Sequence, residues 1–278
     1  MTARIDSHQH FWSYSKTEYP WIPEGSALQA TWLPRDLEAI QKDLGFTGSI
    51  AVQARQCLEE NKMLLDLADR HASVLGVVGW VNLRSEHVDE ELAEFSAHKK
   101  FVGVRHVAQD EPDDWFLVGS EFLRGVGRLS TFGLRYDLLI YPRQLPAAIE
   151  LARHFPEQPF VLDHCAKPQI AAGTMEPWAS QIKELAIAPN VYCKVSGLVT
   201  EANHSNWESE KLRAYFATIA EAFGPERLMW GSDWPVCLLA SSYERWLETA
   251  ESWVRDWSSE QREAFFGGNA RKFYGLRA

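Results

Sequence analysis

Arg4-Ile5-Asp6-Ser7-His8-Gln9-His10-Phe11 is the first apolar run of the chain, and the way it ends separates two fold classes. A dinucleotide-binding βα unit leaves its first strand through a glycine-rich turn; this strand runs into His10-Phe11-Trp12, and no Walker A pattern occurs anywhere. Nucleotide cofactors are thereby disfavoured, and an open doubly wound sheet becomes the lesser alternative. Seven further runs rich in Val, Ile, Leu and aromatics recur at about 49–55, 74–83, 101–107, 134–141, 160–165, 191–197 and 227–233. Between them apolar residues are spaced by three or four, as in Leu58, Leu64, Leu65, Leu67 and Ala68, or Leu212, Tyr215, Phe216, Ile219 and Phe223, which is the pattern of amphipathic helices. Pro34 opens a helix that Gly45 ends, Pro142 and Pro146 follow the fifth strand, and Gly224-Pro225 closes the helix before the eighth. Strand and helix alternate throughout, so the strands are parallel. Eight such units predict an α/β fold of the (β/α)8 TIM barrel type, regular or distorted, as a single domain over residues 1–278.

Composition fits this picture. The 278 residues are 46% hydrophobic and 24% charged, an ordinary globular balance. No apolar run approaches the roughly 18 residues of a membrane helix, so no membrane partner is expected. The start, Met1-Thr2-Ala3-Arg4-Ile5-Asp6-Ser7-His8, is polar where a signal peptide is apolar, which points to the cytoplasm. Cys57, Cys165, Cys193 and Cys237 form no C-x-x-C pair and read as reduced thiols. A net charge of -10 without a basic cluster excludes nucleic acid as a partner. Apolar residues on the outer helices leave a homo-oligomer open.

In a parallel barrel the C-terminal strand ends build the active site, so polar residues at those ends carry the functional signal. They are His8 and His10, Gln53 and Arg55, Trp80 and Asn82, Arg105 and His106, Asp137 and Tyr141, Asp163 and His164, Lys194 and Ser196, and Asp233. Side chains alternate along a strand, so His8 and His10 share a face, whereas Arg105 and His106 do not. Closing the barrel makes the first and eighth strands neighbours and brings His8 and His10 to Asp233. Two imidazoles and a carboxylate suit a divalent ion such as zinc, with His164 placed to assist. Structural hydrogen bonding by the histidines and helix capping by Asp233 are the bland counterparts. Lys194 lies in an otherwise apolar strand, where it must face the pocket or a carboxylate. Arg105 could pair with Asp163 as readily as bind substrate. Of 12 tryptophans, Trp246, Trp253 and Trp257 read as core; Trp12, Trp21 and Trp234, just past strand ends, could stack on a sugar ring.

The segments Ile5–Trp12, Leu162-Asp163-His164-Cys165-Ala166-Lys167-Pro168, Cys193–Leu198, Met229-Trp230-Gly231-Ser232-Asp233-Trp234-Pro235 and Gly268–Tyr274 together resemble the amidohydrolase superfamily in its amidohydrolase-2 branch, along the whole chain. Within the branch the chain looks most similar to sugar lactonases acting on L-fuconolactone or L-rhamnonolactone. The resemblance implies a distorted barrel, hydrolysis at a carbonyl, a role in L-fucose degradation, and carry-over of His8, His10, His164 and Asp233 onto family site positions; Lys194 matches a branch motif residue. Two-metal members use a carboxylated lysine on strand four and a histidine on strand five. Arg105-His106 and a fifth strand without histidine depart from that, so one divalent ion, zinc first, or none is expected.

The expected reaction is opening of a sugar lactone. Asp233 activates water, His164 and Lys194 assist, His8, His10 and Asp233 hold any metal, and Gln53, Arg55, Asn82, Arg105, Tyr141 and Trp12 contact the sugar. A dicarboxylate lactone would call for converging arginines, and only Arg55 and Arg105 are evident. The alternatives are a metal-dependent decarboxylase of the same branch and a non-catalytic barrel that binds a sugar acid.

Overall fold

A computed structural model describes residues 4–276; Met1–Ala3 of the polar start and Arg277 and Ala278 at the far end of the expected domain lie outside the described residues. The strands are β1 (Arg4–Gln9), β2 (Phe46–Val52), β3 (Val74–Gly79), β4 (Phe101–His106), β5 (Arg135–Leu138), β6 (Phe160–Leu162), β7 (Val191–Val195) and β8 (Leu228–Trp230). They form one parallel sheet in sequential order. Each is followed by a helix: α1 (Pro34–Asp43), α2 (Leu58–Arg70), α3 (Val88–Ser96), α4 (Ser120–Leu129), α5 (Leu145–His154), α6 (Trp178–Leu185), α7 (Ser209–Phe223) and α8 (Tyr243–Trp253). Two short helices, α9 (Ser259–Glu263) and α10 (Asn269–Tyr274), end the chain. The helices form because their apolar residues repeat at helical spacing: α7 buries Leu212, Tyr215, Phe216, Ile219 and Phe223 along one stripe. Gly45 and Gly224 sit at φ of 75° and 68°, where the chain must turn from helix to strand. Among the described residues no helix is long and apolar enough to cross a membrane.

Closure is partial, which is the distortion. β1 and β8 meet only toward the C-terminal end, where the His10 N–H donates to the Trp234 carbonyl at 2.7 Å and the Asp233 N–H to the His8 carbonyl at 2.8 Å. Every ladder ends earlier than its apolar run, by most in β2 at Val52, β3 at Gly79, β5 at Leu138, β6 at Leu162 and β8 at Trp230. Beyond those points the backbone turns outward to form the mouth, so apolar composition outlasts pairing.

The barrel interior is layered. Its lower part is apolar, with Ile5, Ile50, Val52, Val78, Val102, Val161 and Met229, and α10 packs Ala270, Phe273 and Tyr274 against it from below. Above lie the buried charges Asp137, Lys194, Arg105 and Asp163, and above them the mouth.

Candidate active site

A bulge aims the first strand. Asp6 pairs with Ser49 and Gln9 with Ala51, so three steps on β1 oppose two on β2. Ile5 thus joins the apolar floor, while His8 and His10 turn their Nε2 atoms toward one point, 3.2 Å apart. The Gly231 position makes this possible, because a Cβ there would stand 2.8 Å from the Cβ of His8. Asp6, which sequence reading overlooked, fastens the loop after β8 by accepting from the Ser232 N–H (2.9 Å) and hydroxyl (2.6 Å).

Asp233 takes a left-handed conformation (φ 57°), which carries its carboxylate over the mouth. Its Oδ1 lies 3.4 Å from His10 Nε2, 3.8 Å from His8 Nε2 and 3.9 Å from His164 Nε2. These separations are long for hydrogen bonds. The edges His8–His10 (3.2 Å) and His10–Asp233 (3.4 Å) instead match the roughly 3.3 Å ligand-to-ligand edge of a tetrahedral ion with bonds near 2.0 Å, and His8–Asp233 at 3.8 Å is wider. The other rim of each ring is already committed: His10 Nδ1 donates to the Val52 carbonyl at 2.8 Å, and His8 Nδ1 lies 3.3 Å from Asp163. Those contacts turn both Nε2 atoms toward the common point, with Arg105 Nη1 also 3.3 Å from that of His8. The donor set of His8, His10 and Asp233 fits one divalent ion. A second grouping, His8 with Asp163 and His164, does not, since Asp163 already faces Lys194 at 3.0 Å and Arg105 at 3.2 Å.

His164 reaches the mouth through an unusual turn. His164, Cys165, Ala166 and Lys167 are all left-handed, with φ between 49° and 59°. For non-glycine residues this costs about 1–2 kcal/mol each. The Lys167 N–H bonded to the His164 carbonyl and the Trp178 indole bonded to the Cys165 carbonyl, both at 2.8 Å, hold it. Ser196 Oγ sits 2.9 Å from His164 Nδ1, and Gly197 leaves room for the ring, since a Cβ there would stand 2.7 Å from that nitrogen. Strain concentrated at one point, with surroundings that over-determine it, marks a functional site.

Electrostatics follow from burial and pairing. Burial holds His8 and His164 well below the usual imidazole range, so both are neutral at pH 7 and able to ligate or accept. Burial pushes Asp233 upward, but the neighbouring His164 and His10 rings outweigh it, and the carboxyl ends below its ordinary value. It is therefore ionised at neutral pH in a nearly dry setting. Asp163 is likewise held well down, because Lys194, His8 and Arg105 together overcome its burial.

These groups open on a cavity of about 390 Å³ whose floor is His10, Arg105, His164 and Asp233. Its walls include Trp21, Arg55, Gln56, Gln109 and Lys167. A larger hollow of about 670 Å³ at the opposite end, beside Arg4, Glu251 and Arg262, contains none of the strand-end residues.

Several expectations need correction. Trp12 is fully buried with its indole bonded to the Leu28 and Ala30 carbonyls; Trp21, 44% exposed, is the aromatic on the cavity wall. Gln53 is buried behind Arg105, donating to its carbonyl at 3.2 Å and accepting from its guanidinium through its own carbonyl. Asn82 stands exposed beside α3, where its side chain accepts from the Arg84 N–H, because the chain turns outward directly after β3. Tyr141 reaches the wall only as a ring beneath Lys167, 5.5 Å from its Nζ. Lys194 lies under the floor, bonded to Asp137 at 2.5 Å and 3.1 Å from His8 Nδ1, and lines no part of the cavity. Arg55 and Arg105 do line it, and His106 faces outward to Phe116 and Phe122. Trp21 was among the tryptophans expected to meet a sugar ring, whereas Gln56, Gln109 and Lys167 are polar wall residues outside the expected set; of these only Lys167, inside the Leu162–Pro168 motif, carried a readable signal.

Comparison with known proteins places the chain. It is 40% identical to an L-fucono-1,5-lactonase of Burkholderia multivorans over 98% of this chain and 96% of that protein. It is 38% identical to an L-fucono-1,5-lactonase of Burkholderia ambifaria over 99% and 96%. The crystal structure of an amidohydrolase from Burkholderia multivorans with bound zinc superposes with a TM-score of 0.95 at 40% identity, covering 99% of this chain and all of that one. The amidohydrolase family model matches residues 5–276, and the chain belongs to that family.

Proposed function

We propose that this chain, acting as one catalytic unit over residues 1–278, hydrolyses a neutral sugar lactone of the L-fucono-1,5-lactone kind to its aldonic acid. The carrying observation is the ionised, buried Asp233 facing His8, His10 and His164 at the floor of the mouth cavity. The names of the two Burkholderia relatives support the same substrate class. A divalent ion held by His8, His10 and Asp233 supplies Lewis-acid polarisation of the lactone carbonyl, and zinc is the leading identity given the zinc-bound neighbour.

The protein's own groups do the rest. Asp233 takes a proton from the attacking water and, once protonated, returns it to the ring oxygen as the C–O bond breaks. His164, braced by Ser196, and the Arg105 guanidinium face the same floor and stabilise negative charge growing on the carbonyl oxygen. Trp21 offers its face to the apolar side of the sugar, and Gln56, Gln109 and Arg55 are placed to pair with hydroxyls.

A carboxylate-bearing lactone fits less well. Arg55 is held by Glu18 at 2.7 Å, Arg105 by Asp163 at 3.2 Å, and Lys167 lies 3.9 Å from Glu201. Each of these lining cations already has an anionic partner, so a second carboxylate would have to share one of them. Four free cysteines suit the reducing cytoplasm.

The test is proton release in weak buffer from L-fucono-, L-rhamnono-, L-galactono- and D-arabinono-lactones beside an aromatic dicarboxylate lactone. Preferred turnover of one sugar lactone is expected, with loss after chelation and recovery on adding Zn2+. Carbon dioxide release from an aromatic acid, or binding of sugar acids without turnover, overturns the reading.

A further inference from the structure

Helix α10 closes the barrel from below, yet one of its side chains touches the charged layer. Tyr274 is 2% exposed, and its hydroxyl lies 2.8 Å from Asp137 Oδ2 and 3.0 Å from Oδ1. Asp137 accepts in turn from Lys194 Nζ at 2.5 Å. Lys194 Nζ is 3.0 Å from Asp163 Oδ1 and 3.1 Å from His8 Nδ1. An unbroken line of buried polar contacts therefore runs from the C-terminal helix to a histidine at the barrel mouth. Asp137, Asp163, Lys194 and His8 are all fully buried, so water competes at none of these steps.

Lys194 stands between two carboxylates, and its height in the barrel is set by how strongly each draws on it. The Tyr274 hydroxyl is a second donor to Asp137. It satisfies lone pairs that would otherwise pull the ammonium downward, away from Asp163 and His8. We propose that Tyr274 is a positioning residue for the site: through Asp137 and Lys194, its hydroxyl fixes the orientation and tautomer of His8. Closure of the barrel's lower end is thereby coupled to the readiness of its upper end, much as an outer hydrogen bond orients a ligating histidine elsewhere. This rests on the reading of His8 as part of a lactone-hydrolysing site.

A role in packing alone makes a different forecast, and two variants separate them. Tyr274→Phe keeps the ring and removes only the hydroxyl; Phe273→Leu trims the same helix against the same floor, giving up the ring edge that packs on Tyr274 at 4.8 Å but removing no atom of the polar line. Tyr274→Phe is expected to lower kcat about three- to tenfold while KM stays within about twofold, in the manner of a lost outer contact. Phe273→Leu should lower Tm and leave kcat at room temperature unchanged. Long-range 1H–15N spectra of the His8 imidazole, read without substrate, should show shifted ring nitrogens in Tyr274→Phe and not in Phe273→Leu. If Tyr274→Phe fails to fold, Asp137→Asn interrupts the line one step higher and is read by the same spectra. Unchanged kcat, or unchanged His8 nitrogen shifts, overturns the proposal. A wild-type protein that opens no lactone breaks the functional reading instead and leaves the spectra to decide this one.

Discussion

Below Asp137 the barrel interior is filled by Ile5, Ile50, Val78, Val161 and Met229; above it the same closed space holds Arg105, Asp163, Lys194 and three imidazoles. The lower half stabilises by removing apolar surface from water, about 1.5–3 kcal/mol per buried side chain, and asks little of direction. The upper half must match each charge to a partner in both distance and angle, because an unpaired buried charge costs several kcal/mol. Neighbouring layers of one barrel thus divide the work, one holding the fold together and the other holding a geometry. Substitutions in the two should part cleanly into losses of stability and losses of turnover.

The largest expected separation is at Asp233. Asp233→Asn keeps the size and tolerates the left-handed backbone, since asparagine visits that region readily. Turnover should fall about 10³-fold, the range for losing a general base, with little change in Tm. A variant that keeps most of its lactone turnover removes Asp233 from the reaction and dissolves the contrast at its strongest point.

Lys194 probes the boundary between the halves. Lys194→Met leaves Asp137 and Asp163 buried without the ammonium both of them face. Breaking a buried pair from one side costs about 3–5 kcal/mol, so denaturation midpoints should drop along with turnover. A loss of activity with stability intact would show that the charged layer bears no load for the fold. Ile50→Ala tests the opposite corner: a fully buried floor residue on β2, it should lose about 2–5 kcal/mol of stability while room-temperature kcat holds. A matching fall in kcat would mean that the floor and the mouth are mechanically one.

What the sequence revealed divides along the same line. Eight apolar runs and their prolines and glycines are enough to place every strand, because burial on both faces leaves a compositional trace. His8, His10 and Asp233 were legible as a group since barrel closure alone makes their strands neighbours. The bulge between Asp6 and Gln9 and the left-handed run from His164 to Lys167 leave no such trace; four non-glycine residues at positive φ are held by surroundings assembled from distant segments. Trp12 and Trp21 are the same residue type in the same loop, and only the loop's folding decides which is walled in and which faces the cavity. Tyr274 lies far from the mouth in sequence, so its contact with Asp137 belongs to packing that periodicity does not encode.

Glu60 extends the comparison to the cavity wall and carries the smallest effect. Its carboxylate is buried behind Arg55 and accepts the Ala54 and Arg55 N–H groups at 2.9 and 2.7 Å. Burial nevertheless outweighs those bonds and raises its pKa from 4.5 to about 7. The folded chain therefore holds this proton over a pH range in which the unfolded chain has released it. The resulting stability is fully present below about pH 4.5 and drains away as pH rises through about 7, the opposite of a salt-bridged carboxylate. Glu60→Gln abolishes the titration while keeping an acceptor for the loop. The wild type's Tm should decline relative to the variant's between about pH 5 and pH 8, leaving the remaining slope to other raised carboxyls such as Asp6 and Asp137. Parallel profiles would mean that the two N–H bonds fully offset the burial of Glu60, and that the wall, like the floor, keeps its shape without regard to pH.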